Sequence, residues 1–228
     1  ENVAKKFNLS RKEQQEFAIK SHVNAAKAQT SKSFHDEITI IKKNDIQVSD
    51  DGGIRPNTSQ EILDNLNLVF DENGTITAGT ASPLTDGAAA TLICEEEYAK
   101  ANKLPILARI KSTAVQGCPP ELMGLGPINA SRKALNRANL TIDDIDVVEL
   151  NEAFSSQSIA CIQELNINPD IVNMEGGAIA LGHPLGATGT RITAKAASLM
   201  VKKNKKYALA TQCIGLGQGI ATVLERVE

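Results

Sequence analysis

The stretch Gly176-Gly177-Ala178-Ile179-Ala180-Leu181-Gly182-His183-Pro184-Leu185-Gly186-Ala187-Thr188-Gly189 constrains this chain more than any other. Its recurring glycines let the backbone approach another group closely, and they leave His183 pinned between Gly182 and Pro184, just before a helix pattern. A neutral imidazole in that place can act as a base or donate a hydrogen bond to an oxyanion. A phosphate-binding glycine loop with an incidental His is the competing reading. No Lys-Ser/Thr follows as in a P-loop, which ranks it low.

Around this stretch the sequence alternates strand and helix patterns. Residues 146–150, 207–213 and 220–226 read as strands, the last two joined by a Gly-rich turn, and residues 38–41 and 105–111 are shorter strand candidates. Ser10-Arg11-Lys12-Glu13 is a capping box that opens a helix to about residue 27. Residues 128–138, 152–165 and 186–202 carry helical periodicity, 95–103 a polar helix, and 87–93 the small apolar side chains of a buried strand or tightly packed helix start. The alternation implies an α/β fold with a mixed sheet covered by helices. A polar, loop-rich region gives way to regular α/β near residues 82–106.

Two further segments place a reactive residue at the end of a regular element, where α/β folds put their sites. In Val148-Glu149-Leu150-Asn151-Glu152-Ala153-Phe154, Asn151 falls between strand and helix. It is either a helix N-cap or an amide that orients a water or substrate oxygen. In Gln212-Cys213-Ile214-Gly215-Leu216-Gly217-Gln218-Gly219, a strand-end thiol precedes free backbone N–H groups. Cys213 is either a buried structural thiol or a proton shuttle beside an oxyanion hole.

Bulk properties exclude several classes. The net charge of −3 leaves no basic footprint for nucleic acid, and no apolar run approaches a membrane span. Cys94, Cys118, Cys161 and Cys213 are scattered, which fits reduced thiols in a cytoplasmic protein. The three histidines offer no metal-ligand spacing, and His22 and His35 are expected in solvent.

Taken in order, Asn151-Glu152-Ala153-Phe154, the 176–189 stretch and Cys213-Ile214-Gly215-Leu216-Gly217 resemble the thiolase family. The likeness continues in Met123-Gly124-Leu125-Gly126-Pro127, in Ser131-Arg132-Lys133-Ala134-Leu135, in Thr80–Ala88 and in the Arg55 loop, so it covers essentially the whole chain. The resemblance implies a thiolase-like α/β fold with part of a loop-rich domain that covers coenzyme A. It divides the chain into 1–82 (loop domain), 83–105 (a segment completing the N-terminal half of the core) and 106–228 (C-terminal domain).

The resemblance also implies roles. Cys213 is the acid/base at the C2 proton, and His183 activates the nucleophile and donates toward the thioester oxygen. Asn151 holds the water that completes that oxyanion hole, and the Gly215 N–H contributes to a second. Ser82 touches the pantetheine arm and Arg55 lies near the nucleotide end of coenzyme A. Phe70, Met123, Ala153 and Phe154 wall the tunnel, although Phe70 and Met123 read equally well as core. Acyl-CoA thioesters are then substrates, with no other cofactor and no metal.

Three departures stand out: Leu216 where the family has Gly, Glu175 where it has Asn, and Ser82-Pro83-Leu84-Thr85 in place of Ser-Gly-Ile/Leu-Asn. By the same likeness, roughly 160 further residues precede Glu1 and hold the nucleophilic cysteine. The chain alone is therefore expected to be inactive, and the complete enzyme to be a dimer or tetramer. Met123 and Gly126–Leu135 point to the acetyl-CoA acetyltransferase type, which condenses two acetyl-CoA. A 3-ketoacyl-CoA thiolase of fatty-acid degradation and a non-catalytic CoA-binding remnant are the alternatives.

Overall fold

The computed structural model describes residues 1–227. The chain opens with α1 (Asn2–Lys6) and α2 (Arg11–Thr30). Ser10 caps α2 through the expected capping box, its hydroxyl taking the Glu13 N–H while the Glu13 carboxylate takes the Ser10 N–H at 2.8 Å. A short hairpin, β1 (Ile41–Lys43) and β2 (Ile46–Val48), replaces the strand expected at 38–41, and α3 (Gln60–Asp64) and α4 (Glu96–Ala101) follow.

The regular part begins with β3 (Arg109–Gly117), four residues later than the 105–111 pattern indicated, and α5 (Gly126–Ala138). Then come β4 (Val147–Leu150), α6 (Ser155–Leu165), α7 (Ala178–Leu181), α8 (Thr188–Lys203), β5 (Tyr207–Ile214) and β6 (Gln218–Glu225). The sheet order is β3-β6-β5-β4, with β4 and β5 parallel and the other pairs antiparallel. Val172 adds a parallel bridge to Val148 at one edge. At the opposite edge, Thr113 and Val115 carbonyls of β3 accept from Arg137 and Lys133 of α5. Cationic side chains thus occupy an edge that would otherwise invite another strand.

Alternation along β4 sends its side chains to two cores. Val148 and Leu150 pack with Leu135, Cys161, Ile162 and Leu209 beneath α5 and α6. Val147 packs with Ile192, Ala196, Leu199 and Ala208 beneath α8. Helices on both faces bury this sheet, which is the mixed α/β architecture the alternating patterns indicated.

Residues 87–93 depart from expectation. They are exposed and irregular, with Leu92 at 75% and Ile93 at 72%. A buried strand must pair its backbone groups, and no strand lies beside this segment among the described residues.

Glu175 has a clear partner here. Lys195 on α8 is only 4% exposed, and its ammonium contacts both Glu175 and Glu37, the latter at 2.8 Å. The same ammonium lies 4.5 Å from the centre of the Phe34 ring. This cluster fastens residues 31–37 to α8, and Lys195 holds both carboxyls below the usual range against the opposing effect of burial.

Glu149 is the opposite case. It shares the α8 face of β4, is 1% exposed, and its Oε1 makes no hydrogen bond among the described residues. Burial pushes its carboxyl up to about 8, with Arg191 and Lys195 pulling the other way. A carboxyl whose pKa is raised on folding opposes folding once the unfolded chain can ionise, so the cost grows as pH rises above 4.5 and levels off above about 8. Glu149→Gln is therefore expected to raise the melting temperature at about pH 9 and to leave it nearly unchanged near pH 4.5, as thermal unfolding followed by circular dichroism would show.

Candidate active site

The carboxyl ends of β4 and β5 lie side by side, because Leu150 pairs with Thr211 and the Asn151 N–H continues the ladder to the Thr211 carbonyl at 2.9 Å. Asn151 and Cys213 therefore project from neighbouring parallel strand ends. Asn151 is not a helix cap. Helix α6 starts at Ser155 with Phe154 as its N-cap, three residues later than the sequence pattern suggested. The backbone between is bonded sideways: the Ala153 carbonyl accepts from the Ser82 N–H at 3.0 Å, and Phe154 pairs with Ala81.

His183 follows α7, and two contacts fix its ring. Nδ1 lies 2.7 Å from the Thr188 hydroxyl and Nε2 lies 3.3 Å from the Asn151 amide nitrogen. The Thr188 hydroxyl donates to the Pro184 carbonyl at 3.0 Å, so it accepts from Nδ1–H. That tautomer leaves the lone pair on Nε2, facing Asn151. Burial, and then the charge of Arg191, lowers the imidazole pKa below its ordinary value, so the ring is neutral at pH 7. Asn151 is 1% exposed and its Oδ1 makes no hydrogen bond among the described residues. An acceptor buried beside the imidazole is suited to hold a water or a substrate donor.

Glu152 joins this strand end to the glycine-rich stretch. Its buried carboxylate accepts from Ser21 Oγ at 2.6 Å, Asn173 Nδ2 at 2.8 Å and the Ile179 N–H at 3.1 Å. Asn173 in turn exchanges hydrogen bonds with the Leu150 backbone, at 2.9 and 2.8 Å. A side chain at 177 would collide with this carboxylate, since a Cβ there would lie 2.1 Å from its carbon. Gly177 is thus required by close approach, which seats the start of α7, the helix before His183, against the Asn151 strand end.

Cys213 is 8% exposed, and burial pushes its thiol up to about 11. It is protonated at neutral pH and available as an acid. The thiol borders a cavity of about 280 Å³ walled by Phe70, Ile76, Met123, Phe154 and Gln157. Phe70 meets Phe154 edge to face at 6.1 Å and is 63% exposed, so it is wall rather than core. Ser82 is half-buried, with its hydroxyl donating to the Ala153 carbonyl at 3.2 Å. Gly215 sits exposed in the β5–β6 turn with open space where a side chain would stand. Arg55 is on an exposed loop and is not among the residues that wall this cavity.

The next residue explains one departure. Leu216 has φ 69° and is 89% exposed, a left-handed backbone with no packing in return. That conformation is where glycine has no steric penalty.

Sequence reasoning missed Glu152, Asn173, Ser21 and Thr188 as supports of the site. A carboxylate inside an otherwise apolar strand-to-helix junction was the available signal for Glu152. His22 was expected in solvent but is 6% exposed, its Nδ1 accepting the Arg55 N–H at 3.2 Å. His35 is exposed. Among the described residues, no group of three or more His, Cys, Asp or Glu is placed to hold a metal. No helix among them is long and apolar enough to cross a membrane.

Comparison with known proteins gives the family and the fold. The family profile described as "Thiolase, C-terminal domain" matches residues 104–226, and "Thiolase, N-terminal domain" matches residues 1–97. The chain is 52% identical over 235 residues to a 3-ketoacyl-CoA thiolase of Shewanella loihica, covering 99% of this chain and 61% of the relative. It is 50% identical over 236 residues to that of Shewanella denitrificans, covering 100% and 61%. Among solved structures, human mitochondrial 3-ketoacyl-CoA thiolase superposes with a TM-score of 0.93 at 39% identity, covering 100% of this chain and 58% of that one. The Bacillus anthracis acetyl-CoA acetyltransferase gives 0.95 at 37%, covering 99% and 58%. The chain thus spans about three fifths of the length of the relatives it matches.

Two substitutions test the supports. Glu152→Gln turns one acceptor into a donor facing donors and is expected to cost about 2–3 kcal/mol in urea unfolding. Leu216→Gly removes left-handed strain of roughly 1–2 kcal/mol and adds unfolded-state entropy of roughly 0.5–1 kcal/mol, for a small net gain in stability.

Proposed function

The chain belongs to the thiolase family, and on that premise we propose that it supplies the acid/base and oxyanion half of a 3-ketoacyl-CoA thiolase centre. The observation that carries this is the Cys213 thiol, held protonated by burial at the wall of a cavity.

In thiolysis, a cysteine thiolate supplied from outside residues 1–228 attacks C3 of the 3-ketoacyl-CoA. The C2–C3 bond breaks and its electron pair passes to C2 as an enolate. Cys213 Sγ–H protonates C2, releasing acetyl-CoA. The Nε2 lone pair of His183 takes the proton of the attacking thiol, and Asn151 Oδ1 holds a water whose hydrogen bond helps carry the enolate charge. The thiol of a second coenzyme A then attacks the acyl-enzyme. Its proton returns to Cys213, and the imidazolium proton returns to the leaving nucleophile. The Gly215 N–H faces the acyl carbonyl in this scheme, where open space lets a substrate approach.

Met123 and the Gly126–Leu135 segment favoured condensation of two acetyl-CoA. The relatives at 50–52% identity support the degradative reading instead, because each bears the name 3-ketoacyl-CoA thiolase. The Asn151–His183 contact and the Cys213 thiol at a cavity wall support an enzyme over a non-catalytic remnant.

The purified chain is expected to show no thiolysis of acetoacetyl-CoA. Supplemented with a thiolase N-terminal segment that carries the nucleophile, it should cleave 3-ketoacyl-CoA esters longer than acetoacetyl-CoA with the higher kcat/KM. Strict preference for acetoacetyl-CoA would restore the acetyltransferase reading, and turnover by the chain alone would overturn the division of the site.

A further inference from the structure

We propose that His22 is a positioning residue for coenzyme A, acting through the backbone of Arg55. The proposal rests on the thiolase reading, which places Arg55 near the nucleotide end of the substrate. His22 lies on α2, 33 positions from Arg55 in sequence, and is 6% exposed. A histidine on a helix face has no reason of its own to be buried, and here a loop covers it. The Arg55 N–H donates to Nδ1 at 3.2 Å. The Arg55 carbonyl is held as well, accepting from the Thr58 N–H at 3.1 Å and the Thr58 hydroxyl at 2.8 Å.

The same loop is seated against the catalytic region. A Cβ at Gly53 would lie 2.7 Å from the Ala180 carbonyl on α7, the helix that leads into His183. Gly53 N–H also donates to Asp51 at 2.9 Å. The loop backbone is therefore held by His22 of α2, by its own Thr58 and Asp51, and close against α7, while the Arg55 side chain is exposed and forms no salt bridge among the described residues. A guanidinium on a rigid backbone with no internal partner is suited to an external anion, and phosphate is the anion that the substrate offers. Burial, and next the charge of Arg55, keeps His22 neutral, which preserves the lone pair that holds the loop.

The test uses isothermal titration calorimetry on the purified chain with coenzyme A and with pantetheine, which lacks the nucleotide. The wild-type chain is expected to bind coenzyme A more tightly than pantetheine. His22→Phe and His22→Met remove the acceptor, and each is expected to weaken coenzyme A binding about tenfold while leaving pantetheine unchanged. His22→Asn puts an amide oxygen near the Nδ1 position and should retain affinity. In an Arg55→Ala background, His22→Met should have no further effect. Wild-type affinity for coenzyme A in His22→Met, or equal loss for both ligands, overturns the role of His22 alone. A wild-type chain that binds both ligands equally overturns the placement of Arg55, and this inference with it. Should the Phe variant not fold, the more flexible Met variant carries the test.

Discussion

The buried carboxylate of Glu152 is the interaction on which the site depends. It takes donors from α2, from the turn at Asn173 and from the start of α7, the first lying far along the chain from the other two. Burying such a group costs several kcal/mol unless its lone pairs are filled, and here hydroxyl, amide and backbone N–H fill them. The arrangement is all-or-none. Each donor is in place because the others are, so the Asn151 strand end, the glycine-rich stretch and α2 are fixed as one unit. Burial raises the Glu152 pKa while those three donors favour the charged form.

That unit explains how the end of a sheet gathers the candidate site residues. Parallel pairing of β4 and β5 puts Asn151 and Cys213 at neighbouring carboxyl ends. The Glu152 cluster then swings His183 over Asn151, and Thr188 selects the tautomer. Electrostatics follow from the same packing. One burial gradient lowers the basicity of His183 and raises the Cys213 thiol, so a neutral base and a protonated acid coexist at neutral pH. Burial is the larger cause at both groups, and the charge of Arg191 adds to it at His183.

Much of this was legible in the sequence where local chemistry decides. The capping box at Ser10, the strand ending in Asn151 and the hairpin around Cys213 are each set by residues within a few positions. What was not legible depends on partners far along the chain. His22 looked like a surface histidine because its cover, the Arg55 loop, lies 33 residues away. Residues 87–93 looked like a buried strand or a tightly packed helix start because composition reports apolarity and not the presence of a neighbour. The three-residue delay of α6 is of the same kind, since Ser82 and Ala81 occupy the backbone groups that a helix would have used. Leu216 shows the converse: the family pattern marked it as anomalous, and the left-handed backbone supplies the reason.

The most direct test of this account is a crystal structure of the chain with coenzyme A bound. The account predicts the coenzyme sulfur between the Cys213 thiol and the Asn151–His183 pair, with pantetheine running past Ser82 and the nucleotide toward Arg55. Coenzyme A bound at another surface, or in a pose that keeps its sulfur away from Cys213 and His183, would contradict it.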